Sequence, residues 1–227
     1  MQSKNILVLA PHPDDESLGC GGTIKLLTQA GMAVDVVFLT RGEKGLDAPE
    51  QQPESVHSQL AHRREAEAKA ACEVLGIRDV QFLNGIDGGL NHQPHLAQML
   101  ASLLNAGNYH RVFAPWYGEA HPDHVATFRI LQRALTEAIV QPGIWLYEVW
   151  TPLPPTDHVP IDTTMPAKRE AILKHASQLE CLDYLGAFVG LAAYRALACP
   201  PSSYAEAFLT LDTPSLLAVK LPPHPHL

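Results

Sequence analysis

The chain has 227 residues, of which 46% are hydrophobic and 18% are charged, and its formal net charge is −8 at pH 7. This length and composition predict one soluble globular domain over residues 1–227, with a frayed tail over approximately 220–227. The acidic balance argues against nucleic acid or an anionic membrane surface as the main partner, since both favour a basic face. No apolar run has the length of a signal-peptide core or a membrane span, so we expect a cytoplasmic location.

Short apolar runs alternate with helical patterns along most of the chain. Residues 6–10 form a continuous apolar run, which is typical of a parallel strand buried on both faces. Further strands are predicted over 34–40, 80–83, 111–115 and 144–150. Helices are predicted from Gly21 to Gly31 and over 59–75, 96–104, 124–138 and 167–182. The segments 41–58 and 151–166 are predicted to be a long loop and a proline-rich connector. The alternation predicts an α/β fold with an open, mostly parallel sheet and helices on both faces.

Two clusters that combine imidazole and carboxylate groups follow two of these strands. Pro11-His12-Pro13-Asp14-Asp15-Glu16 comes directly after the first predicted strand, and His121-Pro122-Asp123-His124 comes shortly after the fourth. Ligands of open α/β sheets bind outside the carboxyl ends of the strands, so we expect the two loops to converge. Imidazole and carboxylate are the ligands that suit zinc and related divalent ions.

The spacing of these residues favours a metal site drawn from both clusters. His12 and Asp15 are three residues apart and point the same way if the chain turns into a helix there. His124 adds a third ligand and leaves an open position for water, which is the catalytic rather than the structural zinc pattern. The four cysteines include no C-x-x-C pair and are expected to be buried thiols, so the ligands must be His and carboxylates.

The neighbouring residues have the chemistry of acid–base catalysis. Asp14 is the natural general base for water activated by the metal. His121 is suited to stabilise an oxyanion or to protonate a leaving amine when it carries a proton, and Asp123 is suited to orient that imidazole. Each cluster taken alone is also typical of a simple turn, because Pro fixes φ and Asp bonds to nearby backbone. The presence of both clusters at strand ends favours the catalytic interpretation.

These motifs resemble the two signature motifs of the LmbE-like (PIG-L-type) N-acetylglucosamine deacetylase family. The resemblance spans nearly the whole chain and keeps the order of the motifs. Its further segments are Gly19-Cys20-Gly21-Gly22, Leu39-Thr40-Arg41-Gly42-Glu43, Arg64-Glu65-Ala66-Glu67, Leu75-Gly76, Lys174-His175-Ala176-Ser177-Gln178 and Tyr204-Ala205-Glu206-Ala207-Phe208.

The resemblance implies a Rossmann-like fold and zinc bound through His12, Asp15 and His124, with iron(II) or cobalt as alternative metals. It implies that Asp14 is the base and that His121 lies on the oxyanion side. Substrates of the family are N-acetylglucosaminyl compounds, so the expected partner is a small N-acetylated sugar. Relatives are often oligomeric, which leaves a homo-oligomer as an open alternative.

Four further residues are candidates for contact with the substrate, and three of them resemble sugar-contacting residues of relatives by position. Glu43, Arg64 and Asp87 correspond to sugar contacts, and His175 lies in a His-x-Ser-Gln motif. Each has a structural alternative. Arg64 can pair with Glu67 on its own helix, Glu43 can be a solvated loop charge, Asp87 can stabilise a Gly-rich turn, and His175 can be a packed helix residue.

Two positions depart from the pattern of the family. Some relatives carry a tyrosine where this chain has Glu119, and others carry an arginine where it has Ala120. Both positions come just before His121. These changes affect the choice of substrate or the group that polarises the carbonyl, but not the metal set.

The predicted function is zinc-dependent removal of an acetyl group from an N-acetylglucosaminyl compound. One alternative is an amidase of larger thiol–sugar conjugates, which a wide cleft beside the 41–58 loop would favour. The other is a non-catalytic sugar- or nucleotide-binding protein, in which Gly19-Cys20-Gly21-Gly22 at the start of a helix cradles an anion.

Overall fold

The structure is a computed structural model that describes residues 5–45 and 52–221. Residues 46–51 of the predicted loop and 222–227 of the expected tail lie outside the described residues. The described strands are β1 (Asn5–Ala10), β2 (Ala33–Thr40), β3 (Asp79–Gly85), β4 (Arg111–Pro115), β5 (Gly143–Tyr147), β6 (Asp157–Pro160) and β7 (Ala205–Leu211). The described helices are α1 (Asp15–Gln29), α2 (Glu54–Leu75), α3 (His95–Gly107), α4 (Pro122–Glu137), α5 (Met165–Lys174), α6 (Ala176–Leu179), α7 (Tyr184–Arg195) and α8 (Thr213–Ala218).

The strands form one sheet in the order β3-β2-β1-β4-β5-β7-β6. The pairs among β1 to β5 are all parallel, whereas β7 is antiparallel to both β5 and β6. The predicted open, mostly parallel α/β sheet is therefore confirmed. The order reverses between β1 and β4, which are direct neighbours, and this places a topological switch point at their carboxyl ends.

Alternate residues of β1 enter two separate hydrophobic cores, one on each face of the sheet. Leu7 and Leu9 belong to the core that α3 and α4 cover, while Ile6 and Val8 belong to the core that α1 and α2 cover. All four side chains are fully buried. A strand covered on both faces needs apolar residues at every position, which is why the run over 6–10 predicts this strand so clearly.

The structure corrects several predicted boundaries. α2 begins at Glu54 inside the predicted loop, β6 lies inside the predicted connector, and β5 ends at Tyr147 instead of residue 150. The helix predicted over 167–182 is two helices, because His175 has non-helical φ and ψ angles of −81° and 53°. β7, α7 and α8 were not predicted. β7 was not recognised because Glu206 and Thr210 interrupt its apolar residues.

Two further expectations concern cysteines and membranes. Cys20 and Cys72 are buried free thiols, as expected, but Cys181 is exposed and Cys199 is half-buried, so that expectation was wrong for these two. Among the described residues, no helix combines the length and the apolar character that crossing a membrane requires.

The first helix begins six residues earlier than predicted and is kinked. α1 starts at Asp15, and Cys20 interrupts it with φ −144° and ψ 19°. A Cβ atom on Gly19 would lie 2.3 Å from the Tyr147 ring, and one on Gly22 would lie 2.7 Å from Ile161. The glycines therefore allow the kinked helix to pack closely against its neighbours, which is a tertiary reason for their presence rather than a helix start.

A buried ion pair satisfies the backbone groups that the kink exposes. The Glu206 carboxylate accepts hydrogen bonds from the N–H groups of Gly22 at 2.9 Å and Thr23 at 2.7 Å. Lys168 Nζ donates to Glu206 Oε1 at 2.5 Å and to the carbonyl oxygen of Leu18 at 2.7 Å. An interrupted helix leaves such donors and acceptors without intrahelical partners, so this pair stabilises the kink from both sides.

We predict that Lys168→Met lowers the free energy of unfolding by about 3–5 kcal/mol, because it leaves the Glu206 charge buried without its cation. Denaturant unfolding followed by circular dichroism measures this change. The control is Lys174→Met, which removes a partly exposed ion pair with Glu170 and should cost less than about 0.5 kcal/mol. A loss for Lys168→Met no larger than the control would contradict the role of the pair.

Candidate active site

The two predicted clusters converge at the switch point between β1 and β4. His12 lies in the turn after β1, and Asp15 is the first residue of α1. His121 is the N-cap residue of α4, and His124 lies in its first turn, with Pro122 at the start of the helix. The ring centroids of His12 and His121 are 4.8 Å apart, and those of His12 and His124 are 5.6 Å apart. Residues more than one hundred positions apart are thus in direct contact.

The Asp15 carboxylate lies between the two predicted imidazole ligands. Its Oδ2 accepts a hydrogen bond from the His12 backbone N–H at 2.9 Å and lies 3.3 Å from His12 Nδ1. Its Oδ1 lies 3.3 Å from His124 Nε2. All three side chains are buried. The structure therefore brings the predicted metal set of His12, Asp15 and His124 together around one carboxylate.

The tightest groups of ligand atoms in the described chain are different sets. Three atoms lie within 4.8 Å of one another in two groups, both of which contain His12. One group adds His121 and His124, and the other adds Asp87 and Asp123. Asp15 belongs to neither group, although it contacts two of the imidazoles directly. His12 is the residue that all of these arrangements share.

The site passes a chemical test for a divalent cation. His124 is completely buried, and neither of its ring nitrogens has a hydrogen-bond partner among the described residues, because the Asp15 contact lacks hydrogen-bond geometry. Buried polar atoms nearly always have a hydrogen-bond partner, so a buried imidazole without one requires an explanation. The carboxylates of Asp15, Asp87 and Asp123 are buried close by. Unpaired imidazole nitrogens beside buried carboxylates fit a bound divalent metal.

Electrostatics keep the Asp15 and Asp87 carboxylates ionised. Burial favours a neutral Asp15, but the charges of His124 and His12, together with the contact to His12, outweigh it and hold the pKa of Asp15 well below its usual range. The pKa of Asp87 is lowered in the same way by His12 against the effect of burial. For His12, burial opposes protonation, but the Asp123, Asp15 and Asp87 carboxylates raise its pKa well above the usual value. The pocket thus favours positive charge.

Asp14 is held in a strained conformation beside this cluster. Its φ of 148° is rare for a residue with a side chain. Its backbone N–H donates to Glu16 Oε2 at 3.2 Å, and its Oδ2 accepts from Arg64 Nη2 at 3.1 Å. Burial raises the pKa of Asp14 to about 6, although the Arg64 cation opposes this rise. The carboxylate is therefore basic enough to take a proton near neutral pH.

His121 is a neutral imidazole whose orientation is set by the backbone. Its Nδ1 accepts a hydrogen bond from the Asp123 backbone N–H at 3.2 Å, which leaves the proton of the neutral ring on Nε2. Burial lowers the pKa of His121 to about 4, and the charges of His12 and His124 lower it as well. The predicted role in donating to an oxyanion thus needs no additional proton, because the Nε2–H group is already a donor.

The Asp123 carboxylate lies elsewhere than predicted. Oδ2 accepts from the Gly88 backbone N–H at 2.7 Å and lies 3.3 Å from His12 Nε2, and Oδ1 accepts from the Leu90 N–H at 3.3 Å. It therefore ties the loop after β3 to His12. The orientation of His121 comes instead from the Asp123 backbone, because α4 begins there and its first N–H groups need acceptors.

Two of the four predicted substrate residues line the cavity at this site, which has a volume of about 140 Å³. Arg64 and Asp87 form part of its wall. Glu43 does not, since it lines a different hollow and its Oε1 accepts from the Asp87 N–H at 2.9 Å. His175 is buried behind the cavity, with Nε2 at 3.4 Å from Glu16 Oε1 and 3.3 Å from Ser17 Oγ.

The structural alternative for Arg64 was a pair with Glu67, and the structure contradicts it. Glu67 instead binds Arg63 and Ser177. Arg64 donates to the Gly42 carbonyl oxygen at 3.1 Å and the Pro13 carbonyl oxygen at 2.9 Å, in addition to Asp14. Gly42 has a φ of +68°, and a Cβ atom there would lie 2.6 Å from the guanidinium. Gly42 is thus required both by its backbone conformation and by the close approach of Arg64.

Four predicted catalytic or metal residues also line the cavity: His12, Asp14, Asp15 and His121. The remaining wall residues were not predicted as site residues, and they are Leu18, Lys44, Gly45, Trp150, Gln178 and Tyr184. Gln178 lies in the late motif that resembles the family. For Trp150 and Tyr184 the chain offers no local signal, because they come from the segment after β5 and the start of α7.

Glu119, the main departure from the family pattern, holds the segment after β5. Its carboxylate accepts from the backbone N–H groups of Val149 at 2.6 Å and Trp150 at 3.0 Å. Its Oε2 also lies 3.8 Å from His124 Nδ1. The side chain is buried. Glu119 therefore connects the wall that contains Trp150 to the histidine cluster.

The helix segment proposed to cradle an anion has other partners. The N–H groups of Gly22 and Thr23, which would face such an anion, donate to the Glu206 carboxylate. A negative group of the protein already occupies these two donors, so they are not available to a nucleotide phosphate. This observation argues against the nucleotide-binding alternative.

Comparisons with known proteins identify the family to which the chain is similar. A family model described as PIG-L, GlcNAc-PI de-N-acetylase, matches residues 7–135. A probable N-acetyl-α-D-glucosaminyl L-malate deacetylase 2 of Bacillus anthracis is 31% identical over 185 residues, which cover 77% of this chain and 81% of the relative. The similarly named protein of Bacillus cereus is 34% identical, with 59% and 61% covered. The diacetylchitobiose deacetylase of Thermococcus kodakarensis is 36% identical, with 53% and 45% covered, so the match spans only about half of that relative.

Solved structures share the whole fold. The N,N'-diacetylchitobiose deacetylase of Pyrococcus horikoshii superimposes with a TM-score of 0.81 at 25% identity, covering 93% of this chain and 85% of that one. A 4-carboxy-2-hydroxymuconate hydratase from Pseudomonas putida gives the same TM-score at 23% identity, covering 92% and 96%. The second likeness shows the fold alone, so the fold does not determine the reaction. The family match covers more than half of the chain, and the chain belongs to the PIG-L (LmbE-like) family.

Proposed function

We propose that this protein is a divalent-metal-dependent N-deacetylase that removes the acetyl group from an N-acetylglucosaminyl compound. The observation that carries the proposal is the Asp15 carboxylate between His12 and His124, with Asp14 beside it on the wall of the same cavity. The names of the relatives, which are deacetylases of N-acetylglucosaminyl malate and diacetylchitobiose, support the substrate class.

His12, Asp15 and His124 would hold the metal, and two imidazoles with one carboxylate make zinc the favoured ion. Iron(II) and cobalt accept the same ligands. When bound, such an ion supplies a Lewis acid that lowers the pKa of water towards about 7 and polarises a carbonyl group. His121 lies within the same group of imidazoles, and we assign it to the substrate rather than to the metal because its Nδ1 already accepts from the Asp123 backbone N–H as the N-cap of α4, whereas both ring nitrogens of His124 lack such a partner.

Asp14 is the general base. It takes the proton of the attacking water and later delivers it to the departing amine. Its pKa of about 6 is suited to both steps near neutral pH, because a stronger acid would hold the proton too weakly. Arg64 opposes the effect of burial and keeps enough of the carboxylate ionised. The strained backbone fixes the carboxylate beside the cluster.

His121 stabilises the negative charge that develops on the acetyl oxygen. Its Nε2–H group is a donor while its Nδ1 is occupied by the Asp123 backbone N–H. A preorganised donor of this kind stabilises the charge that develops in the transition state, so it lowers the activation barrier and does not strengthen the binding of the substrate in its ground state. Acetate and the free amine are the products.

The alternative of an amidase for larger thiol–sugar conjugates depends on a wide cleft beside the 41–58 loop. Residues 46–51 of that loop lie outside the described residues. The cavity that contains Asp14 has about 140 Å³, and a separate hollow of about 350 Å³ lies beside the described part of the loop. Assays with N-acetyl and bulkier N-acyl glucosamines separate the two hypotheses, since a deacetylase prefers the acetyl compound.

Replacing the base tests the catalytic assignment. Asp14→Asn should keep its bound metal but lose about 10²–10⁴-fold in kcat, because the amide accepts no proton. Metal content is measured by mass spectrometry of the purified protein, and turnover by acetate release. The control is Asp79→Asn, which changes an exposed carboxylate of β3. Near-normal turnover of Asp14→Asn would refute the assignment.

The metal set is tested by binding. His124→Ala should abolish stoichiometric zinc binding, while His121→Ala should retain the metal and lose turnover. His62→Ala is the matched control, because this histidine is exposed on α2. Equilibrium dialysis against zinc measures the stoichiometry. Full zinc binding by His124→Ala, or loss of zinc in His121→Ala, would show that the ligands have been assigned incorrectly.

The proposal also predicts the acidic limb of the pH profile. Asp14 must be ionised to act as a base, so kcat/KM should fall as the pH decreases through its pKa of about 6. The Arg64 cation lowers this pKa, so Arg64→Met should move the limb to higher pH, and Arg64→Lys, which keeps the charge, should move it less. A limb that stays in place or moves to lower pH in Arg64→Met would contradict the assignment.

A further inference from the structure

An apolar hollow of about 270 Å³ lies next to the candidate active site. We name it the apolar shelf and define it by the six large hydrophobic side chains that line it: Val149, Trp150, Leu182, Tyr184, Phe188 and Leu191. Its walls are the segment after β5 and the face of α7 that carries residues 184, 188 and 191. None of the candidate catalytic residues lines it.

The shelf presents exposed apolar surface on a buried aromatic base. Trp150 is 45% exposed and Leu182 is 50% exposed, whereas Tyr184 and Phe188 are buried. The Trp150 and Tyr184 rings meet edge to face with centroids 6.0 Å apart, and Tyr184 meets Phe188 in the same way. Exposed aromatic and aliphatic groups gathered around one hollow indicate a binding surface more strongly than scattered ones do.

The shelf is continuous with the reactive cavity. Trp150 and Tyr184 line both hollows, so they form the boundary between them. The cavity on the other side of that boundary contains Asp14 and Asp15. A substrate whose amide lies at Asp14 therefore has room to extend across Trp150 onto the shelf. A second copy of the chain seated on the shelf would instead close over a wall of the reactive cavity.

Both walls of the shelf are fixed before any ligand arrives. The Glu119 carboxylate holds the backbone of Val149 and Trp150. On the other wall, the Asp183 side chain caps α7 by accepting from the Gly186 N–H at 2.8 Å. A preformed surface costs little ordering entropy on binding.

The charge pattern selects the chemistry of the ligand. Among the described residues that line the shelf, Asp183 carries the one acidic group, which caps α7, and Lys, Arg and His are absent. A carboxylate placed here would lose water without gaining a cation. An uncharged group with apolar surface would bury that surface against Trp150 and Leu182, which makes the binding free energy more favourable.

We propose that the apolar shelf binds the aglycone of the substrate and selects an uncharged aryl or alkyl group there over an anionic one. This inference rests on the proposed deacetylase function, since it places the sugar amide at Asp14. It distinguishes the chain from relatives named for malate-bearing substrates, whose aglycone is a dicarboxylate.

The test compares substrates that share the N-acetylglucosamine unit. Acetate release is measured for phenyl N-acetylglucosaminide, its malate counterpart and free N-acetylglucosamine. We expect kcat/KM for the phenyl compound to exceed that for each of the others at least tenfold, mainly through KM. Equal values, or a preference for the malate compound, would overturn the proposal.

A pair of variants locates the effect. Leu182→Glu should reduce the ratio of kcat/KM for the phenyl compound to that for the free sugar about tenfold. Leu197→Glu is the matched control, because Leu197 is 78% exposed and is not a shelf residue, and it should leave the ratio unchanged. A ratio that stays constant in Leu182→Glu would overturn the proposal.

Two further readouts separate the possible failures. Calorimetric binding of the phenyl and the free sugar to the wild-type protein needs no turnover. If the phenyl compound binds more tightly than the free sugar but no acetate is released, the deacetylase function is refuted and the role of the apolar shelf is supported. Equal binding of the two compounds would refute the role of the apolar shelf. Sedimentation of Leu182→Glu should match the wild type, and dissociation into smaller species would show that a second copy covers the shelf and would overturn the proposal.

Discussion

The site depends on one buried carboxylate that joins two distant parts of the chain. Asp15 begins α1, which follows β1, and contacts His124 in the first turn of α4, which follows β4. The two strands are neighbours in the sheet, so their carboxyl ends deliver both turns to one place. A buried carboxylate needs partners with positive or donor character, and His12 and His124 supply them. The order of the strands brings the segments after β1 and β4 to the same edge of the sheet, and the contacts of Asp15 with His12 and His124 then determine how these segments pack against each other.

Around this carboxylate, the protein uses its backbone as much as its side chains. Asp14 has a strained φ that the Glu16 carboxylate and the Arg64 guanidinium hold in place. His121 receives its orientation from a backbone N–H of α4. Such contacts fix the positions of the reacting groups in advance, and preorganisation of this kind supports catalysis more than additional binding energy does.

The scaffold behind the site follows the same rule of satisfying buried charge. The kink in α1 at Cys20 leaves backbone donors that Glu206 binds and a backbone acceptor, the Leu18 carbonyl oxygen, that Lys168 binds. The same helix begins with Asp15, so the packing of the kinked helix against its neighbours helps to position the Asp15 carboxylate in the cavity. Glu119 serves a similar purpose between the histidines and the wall that contains Trp150.

The sequence by itself determined the α/β class, the buried strand over 6–10, the two His/Asp clusters and the family, because each is encoded in neighbouring residues. It also predicted that Arg64 and Asp87 lie at the site. Only the tertiary structure decided that Glu43 faces another hollow, that His175 lies behind Glu16, and that the aromatic boundary of Trp150 and Tyr184 belongs to the cavity. These outcomes depend on contacts between segments far apart in the chain, and local patterns of charge and hydropathy do not specify which distant partner a side chain meets.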